Sequence, residues 1–232
     1  MTGIVASAGG TSSKPVVVHR PSWKDMKASY PPDGQDRYVF YPKISKALAK
    51  DADEPAYANT CALRMSYALN HSGVKLKPAP SKGGNLKGDD KLNYWLRVKD
   101  LAAELNRLFK APDLTLTYPT PMPKPGGTAR TAETYVQQHP TEYLARQKLA
   151  QDTLLSKISN KNGIVVFNVT GWSDATGHFT LWEGATQNLL YVGANTAEKN
   201  PTSPEYYFWL VKPSDDGKKL VETTSVSFWE LK

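Results

Sequence analysis

The hydrophobic period of this chain changes after residue 160, and this change limits the folds that the sequence can adopt. Before it, apolar residues recur at helical spacing. After it, short apolar segments rich in β-branched and aromatic residues predict five strands, which are 163–169, 177–182, 188–192, 206–211 and 225–229. Short turns join these segments, so we expect an antiparallel sheet. Helices first and strands afterwards indicate an α+β fold.

Several segments of the first two thirds carry helix signals. Ser22 is placed to begin a helix at the next residue. The segment 91–109 has the clearest amphipathic pattern, with an inward face formed by Leu92, Trp95, Leu101, Leu105 and Leu108. A further helix is predicted from Pro140 to about Ile158. These helices supply the layer that the sheet needs as a packing partner.

The 232 residues suit one domain or two small ones. Residues 1–19 are small, polar and rich in Ser and Gly, which is typical of a flexible tail, although Val16–Val18 form a possible short edge strand. Order is expected from residue 20 onward. The proline-rich segment 118–127 is predicted to be an exposed loop.

The net charge of +7 and the pI of about 9.3 favour anionic partners such as a cell-wall polymer, an acidic protein or a nucleic acid. Nucleic acid ranks last, because the lysines are dispersed and no zinc-ligand spacing or RNA-binding aromatic pattern is present. The densest lysine run, from Lys75 to Lys91, is broken by glycines and aspartates, as in a solvated loop. Neither a secretory signal nor an apolar segment of about 18 residues is found. We therefore expect no membrane insertion, and export, if any, by a route other than Sec.

Cys61 is the only cysteine, so it has no internal disulfide partner. It opens a predicted helix over 61–72, in which Ala62, Met65 and Leu69 share one face and the following glycine ends the helix. Asn59 or Thr60 is expected to cap the helix N-terminus. A thiol at the positive end of a helix dipole is expected to have a lowered pKa, which favours the nucleophilic thiolate.

His178 is the histidine best placed to assist such a thiolate. It follows a glycine-flanked turn, Ser173–Gly177, and opens a predicted strand. The other histidines, His19, His71 and His139, lie in the tail, at a helix end and in a loop, and show no metal-ligand spacing. No metal or cofactor is expected. The residues alone leave two interpretations open, a Cys–His catalytic pair or a buried structural cysteine.

Two long motifs carry a family resemblance. The segment 59–73, NTCALRMSYALNHSG, closely resembles the nucleophile motif of the type VI secretion amidase effectors of the fourth family. The segment 171–184, GWSDATGHFTLWEG, is similar to that family's histidine motif. Shorter stretches at 20–23, 94–100 and 112–114 also fit, so the resemblance covers roughly residues 20–211.

The resemblance implies a papain-like, NlpC-type fold, in which the helix with the cysteine packs on the sheet with the histidine and residues 20–232 form a single domain. It implies hydrolysis of the γ-D-glutamyl–meso-diaminopimelate bond of peptidoglycan stem peptides. Cys61 would be the nucleophile, His178 the general acid and base, and the Cys61 N–H, assisted by Asn59, the oxyanion donor. The family's effectors are made in the cytoplasm, carried by a type VI secretion tube or spike component to the periplasm of a rival, and inhibited by a cognate immunity protein.

The third catalytic residue is where the sequence departs from the family pattern, because the usual aspartate and its two framing cysteines are missing after the histidine strand. Asn188 is the first candidate for orienting the imidazole, Gln187 the second and Asp174 the third. Asn188 has the competing interpretation of a simple turn residue.

Other positions carry weaker expectations. Trp172 and Trp182 could stack on the substrate, although Trp182 is better explained as core. Arg64 and the lysines of 75–91 could attract the carboxylates of the stem peptide. The segment 119–158 is predicted to be an insertion that borders the cleft, contacts the immunity protein or acts as a spacer. The alternative to an enzyme is a non-catalytic cell-wall-binding or adaptor protein that retains the fold.

Overall fold

The computed structural model describes residues 19–31, 36–190 and 195–232, together with two short backbone segments near the start of the chain. Those segments are the strands β1 (Ser7–Ala8) and β2 (Thr11–Ser12), which pair antiparallel. Residues 1–6, 9–10 and 13–18 of the predicted flexible tail, including the proposed edge strand at 16–18, lie outside the described residues. In the described part of the chain, no helix is both long and apolar enough to span a bilayer.

Between residues 20 and 110 the described elements are helices and one small hairpin. The elements are α1 (Trp23–Ser29), α2 (Arg37–Phe40), α3 (Lys46–Lys50), α4 (Cys61–His71), β3 (Asn85–Lys87), β4 (Asn93–Trp95) and α5 (Val98–Phe109), with 3₁₀ turns at Tyr41–Lys43 and Pro55–Tyr57. The N-terminal helix begins as predicted, since the Ser22 hydroxyl accepts a 3.0 Å hydrogen bond from the N–H of Asp25.

The second half contains the main sheet. Its elements are β5 (Leu114–Thr117), α6 (Ala132–Gln138), α7 (Pro140–Ala150), a π-helical turn (Gln151–Leu155), α8 (Ser156–Ile158), β6 (Asn162–Thr170), β7 (Gly177–Glu183), β8 (Asn188–Leu189), a 3₁₀ turn (Thr196–Lys199), β9 (Val211–Pro213) and β10 (Leu220–Leu231). The strand order is β5–β10–β6–β7–β8, β9 pairs with the start of β10, and every pairing is antiparallel. The predicted α+β class and antiparallel sheet are confirmed.

Alternation along the strands gives the sheet two buried faces. On β7, Phe179 and Leu181 belong to an apolar cluster with Cys61 and other residues of α4 and α5. Trp182, on the opposite face, packs in a second cluster with residues of α6, α7 and α8. The sheet therefore lies between two helical layers, and α4 is fixed against β7.

The helix α4 forms for the reasons that the sequence predicts. Ala62, Met65 and Leu69 are buried on one face, and Gly73 follows the helix with a φ of 98°. The N–H of Val74 closes the C-terminus by donating a 2.9 Å hydrogen bond to the Leu69 carbonyl. The predicted side-chain cap at the other end is wrong, because no side chain of that region caps the helix.

Two secondary-structure predictions need correction, and two elements are absent from the predictions. The helix expected over 91–109 begins only at Val98, because Lys91 adopts a φ of 67° and Asn93–Trp95 form a strand instead. Residues 206–210 are turns with buried side chains rather than a strand, so burial and not extension explains their aromatic character. The strand β5 and the helix α6 are additional elements that the sequence patterns do not reveal.

The predicted insertion, 119–158, is packed on the sheet face opposite α4. Its proline-rich segment is not fully exposed as expected, since the side chain of Met122 is buried and its N–H donates a 3.2 Å hydrogen bond to the Glu222 carboxylate. Arg146 of α7 forms an ion pair with the same carboxylate at 3.3 Å. The segment thus contributes to the second core.

Candidate active site

Cys61 is the first residue of α4 and is only 8% exposed. Ala62, Met65 and Leu69 of α4 belong to the same apolar cluster as residues of β7, and this packing holds the helix against that strand. The first backbone N–H groups of any helix have no intrahelical acceptor, so the N–H of Cys61 is available to a ligand next to its own thiol. The sequence therefore predicts the position of the thiol correctly.

The electrostatic surroundings of the thiol differ from the expectation. Burial raises the pKa of Cys61, and this effect outweighs the backbone N–H groups of Phe179, Ala62 and Cys61 itself and the positive charge of Arg64, all of which lower it. The expected lowering of the pKa by the helix N-terminus is wrong in direction, because desolvation destabilises the thiolate more than the helix N-terminus stabilises it. The resting thiol is therefore neutral.

His178 is the second residue of β7 and lies opposite Phe167 of β6. Its side chain is 7% exposed. The imidazole stacks on the ring of Tyr207, with centroids 4.5 Å apart and an interplanar angle of 11°.

The thiol and the imidazole meet at one peptide unit. The N–H of Phe179, which belongs to the peptide unit that joins Phe179 to His178, is one of the groups that lower the pKa of the Cys61 thiol. Alternation along the strand turns Phe179 toward α4 and turns His178 toward Tyr207. The structure thus places Cys61 near the peptide unit that joins His178 to Phe179, while the imidazole itself lies on the side of β7 that faces Tyr207.

A cleft of about 570 Å³ opens at Cys61. It is bounded by the N-termini of α4 and α5 and by the loop between β6 and β7. The lining residues are Asn59, Cys61, Ser81, Leu96, Arg97, Val98, Lys99, Asp100, Trp172, Ser173, Asp174, Ala175 and Thr176. Four residues predicted from sequence are therefore brought together here, namely Asn59, Cys61, Trp172 and Asp174. None of the lining residues comes from 119–158.

Asn59 and Asp174 contact each other directly across the cleft wall. The Asn59 amide Nδ2 donates a 2.9 Å hydrogen bond to Asp174 Oδ2. Thr60, the other residue expected to cap α4, instead accepts a 2.9 Å hydrogen bond from Arg64 Nε. The polar residues before Cys61 therefore hold neighbouring side chains and do not cap the helix.

The structure does not bring Asn188 to the imidazole. Asn188 is exposed and pairs with Glu183, five residues further along β7 than His178 and so about 17 Å away. Gln187 is in the same distant turn, with a φ of 52°. Neither residue can accept a hydrogen bond from His178, and the turn interpretation of Asn188 is the correct one. Asp174 is the nearest of the three candidates, on the loop that leads into β7.

The two tryptophans have different surroundings. Trp182 is 2% exposed, and its indole N–H donates a 2.9 Å hydrogen bond to the carbonyl of Ile158, which confirms its interpretation as core. Trp172 is only partly buried and lines the cleft. Its ring meets that of Tyr207 edge to face, at 6.2 Å and 76°.

Sequence patterns miss two kinds of residue in and around the site. Arg97 and Lys99 line the cleft at the N-terminus of α5. The sequence does not reveal this position, because the amphipathic pattern runs on without a break from residue 91. Tyr207 is one of several aromatic residues in the segment 206–211, which the sequence predicts to be a strand, and nothing in that pattern distinguishes it as a neighbour of His178. Among the described residues, no three His, Cys, Asp or Glu side chains converge as metal ligands would.

Comparison with known proteins relates this arrangement to one family. The family model described as type VI secretion system (T6SS), amidase effector protein 4, matches residues 57–125 and 124–229. The effector Tae4 from Salmonella typhimurium, solved in complex with the immunity Tai4 from Enterobacter cloacae, is 22% identical over 92% of this chain and 100% of that chain, with a TM-score of 0.57.

Two further solved structures agree with this match. Tae4 from the Enterobacter cloacae Tae4–Tai4 complex is 22% identical over 92% of this chain and all of that chain, with a TM-score of 0.54. Tae4 from Enterobacter cloacae is 23% identical over 92% and 98% of the two chains, with a TM-score of 0.51. No curated protein gives a match. At these identities the structural matches establish a shared fold.

Proposed function

Since the family model covers most of its length, this chain belongs to the type VI secretion amidase effector 4 (Tae4) family, and we propose that it hydrolyses the γ-D-glutamyl–meso-diaminopimelate bond of peptidoglycan stem peptides by cysteine catalysis. The observation that carries the proposal is the position of Cys61, at a helix N-terminus, in a cleft and on the helix that packs with β7, the strand of His178.

The first half of the proposed reaction forms an acyl enzyme. The imidazole of His178 takes the proton of the Cys61 thiol, and the sulfur attacks the γ-carbonyl carbon of the glutamyl residue. The resulting oxyanion accepts a hydrogen bond from the N–H of Cys61, and Asn59 has a second amide hydrogen that can assist. The C–N bond then breaks, and the imidazolium gives its proton to the departing diaminopimelate amine.

The second half releases the product. The imidazole, now neutral, accepts a proton from water, and the water oxygen attacks the thioester carbon. Cleavage of the C–S bond yields the γ-carboxylate and returns the proton to the thiolate. Proton transfer at the start of the cycle, and return of the proton at its end, require a hydrogen bond between the Cys61 sulfur and the imidazole. Such bonds are often long before substrate binds, so we propose that this bond forms in the substrate complex.

The cleft lining carries two cations, Arg97 and Lys99, and two carboxylates, Asp100 and Asp174. A stem peptide carries free carboxylates, and the two cations are the groups in the cleft that would attract them. Trp172 offers an apolar surface in the same cleft. Arg64 takes no direct part as a substrate ligand, because its side chain is buried and its guanidinium lies 4.8 Å from the ring of Phe40.

Family membership also supports the proposed biology. We propose delivery by a type VI secretion tube or spike component and action in the periplasm of the target bacterium. A cognate immunity protein is proposed as partner, because the Tae4 structures that resemble this chain include complexes with the immunity Tai4.

The test is digestion of purified diaminopimelate-type muropeptides, followed by mass spectrometry of the products. The wild type is expected to release diaminopimelate-containing fragments, whereas C61A and H178A are expected to release none. The matched control is S173A, which removes a cleft hydroxyl but no proposed catalytic group. Binding of muropeptides by the wild type without any cleavage would instead favour the non-catalytic adaptor, and cleavage at another bond would correct the specificity.

A further inference from the structure

We propose that Tyr207 is the residue that positions the His178 imidazole, an inference that rests on the proposed role of His178. The two rings are nearly parallel, at an interplanar angle of 11°, and their centroids are 4.5 Å apart. This is the geometry of an offset stack, in which the tyrosine ring covers one face of the imidazole and not the edge where its nitrogens lie.

Tyr207 is itself held firmly. Its side chain is 4% exposed. Its N–H donates a 3.1 Å hydrogen bond to the carbonyl of Glu198, and its carbonyl accepts a 2.7 Å hydrogen bond from the Thr223 hydroxyl. On the ring, Phe167 stacks at 5.1 Å and Trp172 packs edge to face. A ring fixed at so many points is a rigid support rather than a mobile neighbour.

The reaction needs such a support. The terminal torsion of a histidine side chain is broad, so an imidazole at a strand start can turn its nitrogens in many directions. A parallel aromatic surface opposes rotation about the Cβ–Cγ bond, because turning the imidazole out of its plane would lose the stack, and it thereby fixes the directions of the two ring nitrogens. Asn188, which the sequence suggested for this task, is too distant to perform it.

The experiment compares Y207F, Y207W and Y207L. The aromatic variants keep the stacking surface, and the leucine variant removes it. Since small misplacements of a catalytic group lower the rate strongly, Y207L is expected to lower kcat about 10- to 100-fold, with KM nearly unchanged. Y207F and Y207W are expected to retain most of the wild-type kcat.

The control and a second readout separate positioning from simple core packing. Y206L removes a neighbouring tyrosine that is 2% exposed and packs on Phe208 and Trp209 rather than on His178. It should destabilise the fold without lowering kcat at temperatures where it remains folded. In NMR spectra of histidine-labelled protein, assigned with H178Q, the His178 ring protons should be shifted upfield in wild type, Y207F and Y207W but not in Y207L.

The possible outcomes are distinct. Loss of kcat in Y207L, with recovery in Y207F, supports the inference. Unchanged or increased kcat in folded Y207L overturns it, as does an equal loss of kcat in Y206L. If the wild type cleaves no muropeptide, the proposed function fails, and the NMR comparison then still decides whether Tyr207 fixes the imidazole: an unchanged His178 spectrum in Y207L would overturn it.

Discussion

The amide of Asn59 donates a 2.9 Å hydrogen bond to the carboxylate of Asp174. This bond joins the segment before the candidate nucleophile to the loop that leads into β7. Because His178 follows that loop, the contact links the two halves of the proposed catalytic pair. Because this hydrogen bond is exposed, it adds little to the free energy of folding, and its expected role is to hold the two segments in position.

Breaking this link is expected to impair catalysis while changing stability little. N59A and D174A should each lower kcat/KM about 10-fold, and each should lower the free energy of unfolding by less than about 1 kcal/mol. The double variant should be no worse than either single variant if the hydrogen bond is what matters. Losses that simply multiply in the double variant would assign the two side chains independent roles.

The raised pKa of Cys61 predicts how the thiol responds to pH. A raised pKa means that the neutral thiol persists at neutral pH, where the thiolate required for alkylation is scarce. The rate of iodoacetamide labelling, followed by intact mass, should therefore rise with pH and stay below that of a small free thiol of pKa about 8.5. C61S serves as the unlabelled control. A rate plateau between pH 5 and 7 would contradict the prediction, because it would require a stable thiolate in the resting protein.

Arg97 is expected to act in substrate binding. Its charge enters the cleft from the start of α5, so R97Q should raise KM for muropeptides about 10-fold, as expected for one lost charged hydrogen bond, with little change in kcat. The matched control on the same helix is R107Q, because Arg107 is paired with Glu104 outside the cleft lining. Equal effects of the two substitutions would indicate that only the net charge of the protein matters.

The buried ion pair of Arg146 and Glu222 is expected to anchor the segment 119–158. The two groups are 3.3 Å apart, and the arginine also donates to the carbonyl of Thr223. Burial lowers the pKa of Arg146 and raises that of Glu222, so each charge depends on its partner. R146M should therefore lower the free energy of unfolding by about 3 kcal/mol in urea titrations.

The control for this prediction lies on the same helix. Lys148 and Asp152 form an exposed pair at 2.7 Å, so K148M should change the free energy of unfolding by about 0.5 kcal/mol at most. Since the segment contributes no cleft residue, folded R146M should keep its kcat. A large loss of kcat in folded R146M would show that the insertion influences the site.

The sequence predicts several helices and strands of this protein correctly, because the signals that define them come from residues within each element. The amphipathic face and terminal glycine of 61–73 define α4, and β-branched residues define β6. The prediction fails at Lys91, where a left-handed backbone interrupts a helical pattern. It fails again at 206–210, where aromatic residues are buried in turns and not in a strand. In both cases the tertiary structure overrides a local preference.

The sequence by itself determined that the chain is α+β, that its one thiol opens a helix and that its candidate histidine opens a strand. Only the tertiary structure decided what surrounds those two groups. The pairing of β8 with β7 places Asn188 far from the imidazole, and packing between distant segments places Tyr207 against it. Burial raises the pKa of Cys61, although the helix N-terminus was expected to lower it. Desolvation and contacts between distant segments depend on how the layers pack, and the spacing of residues along a chain does not encode them directly.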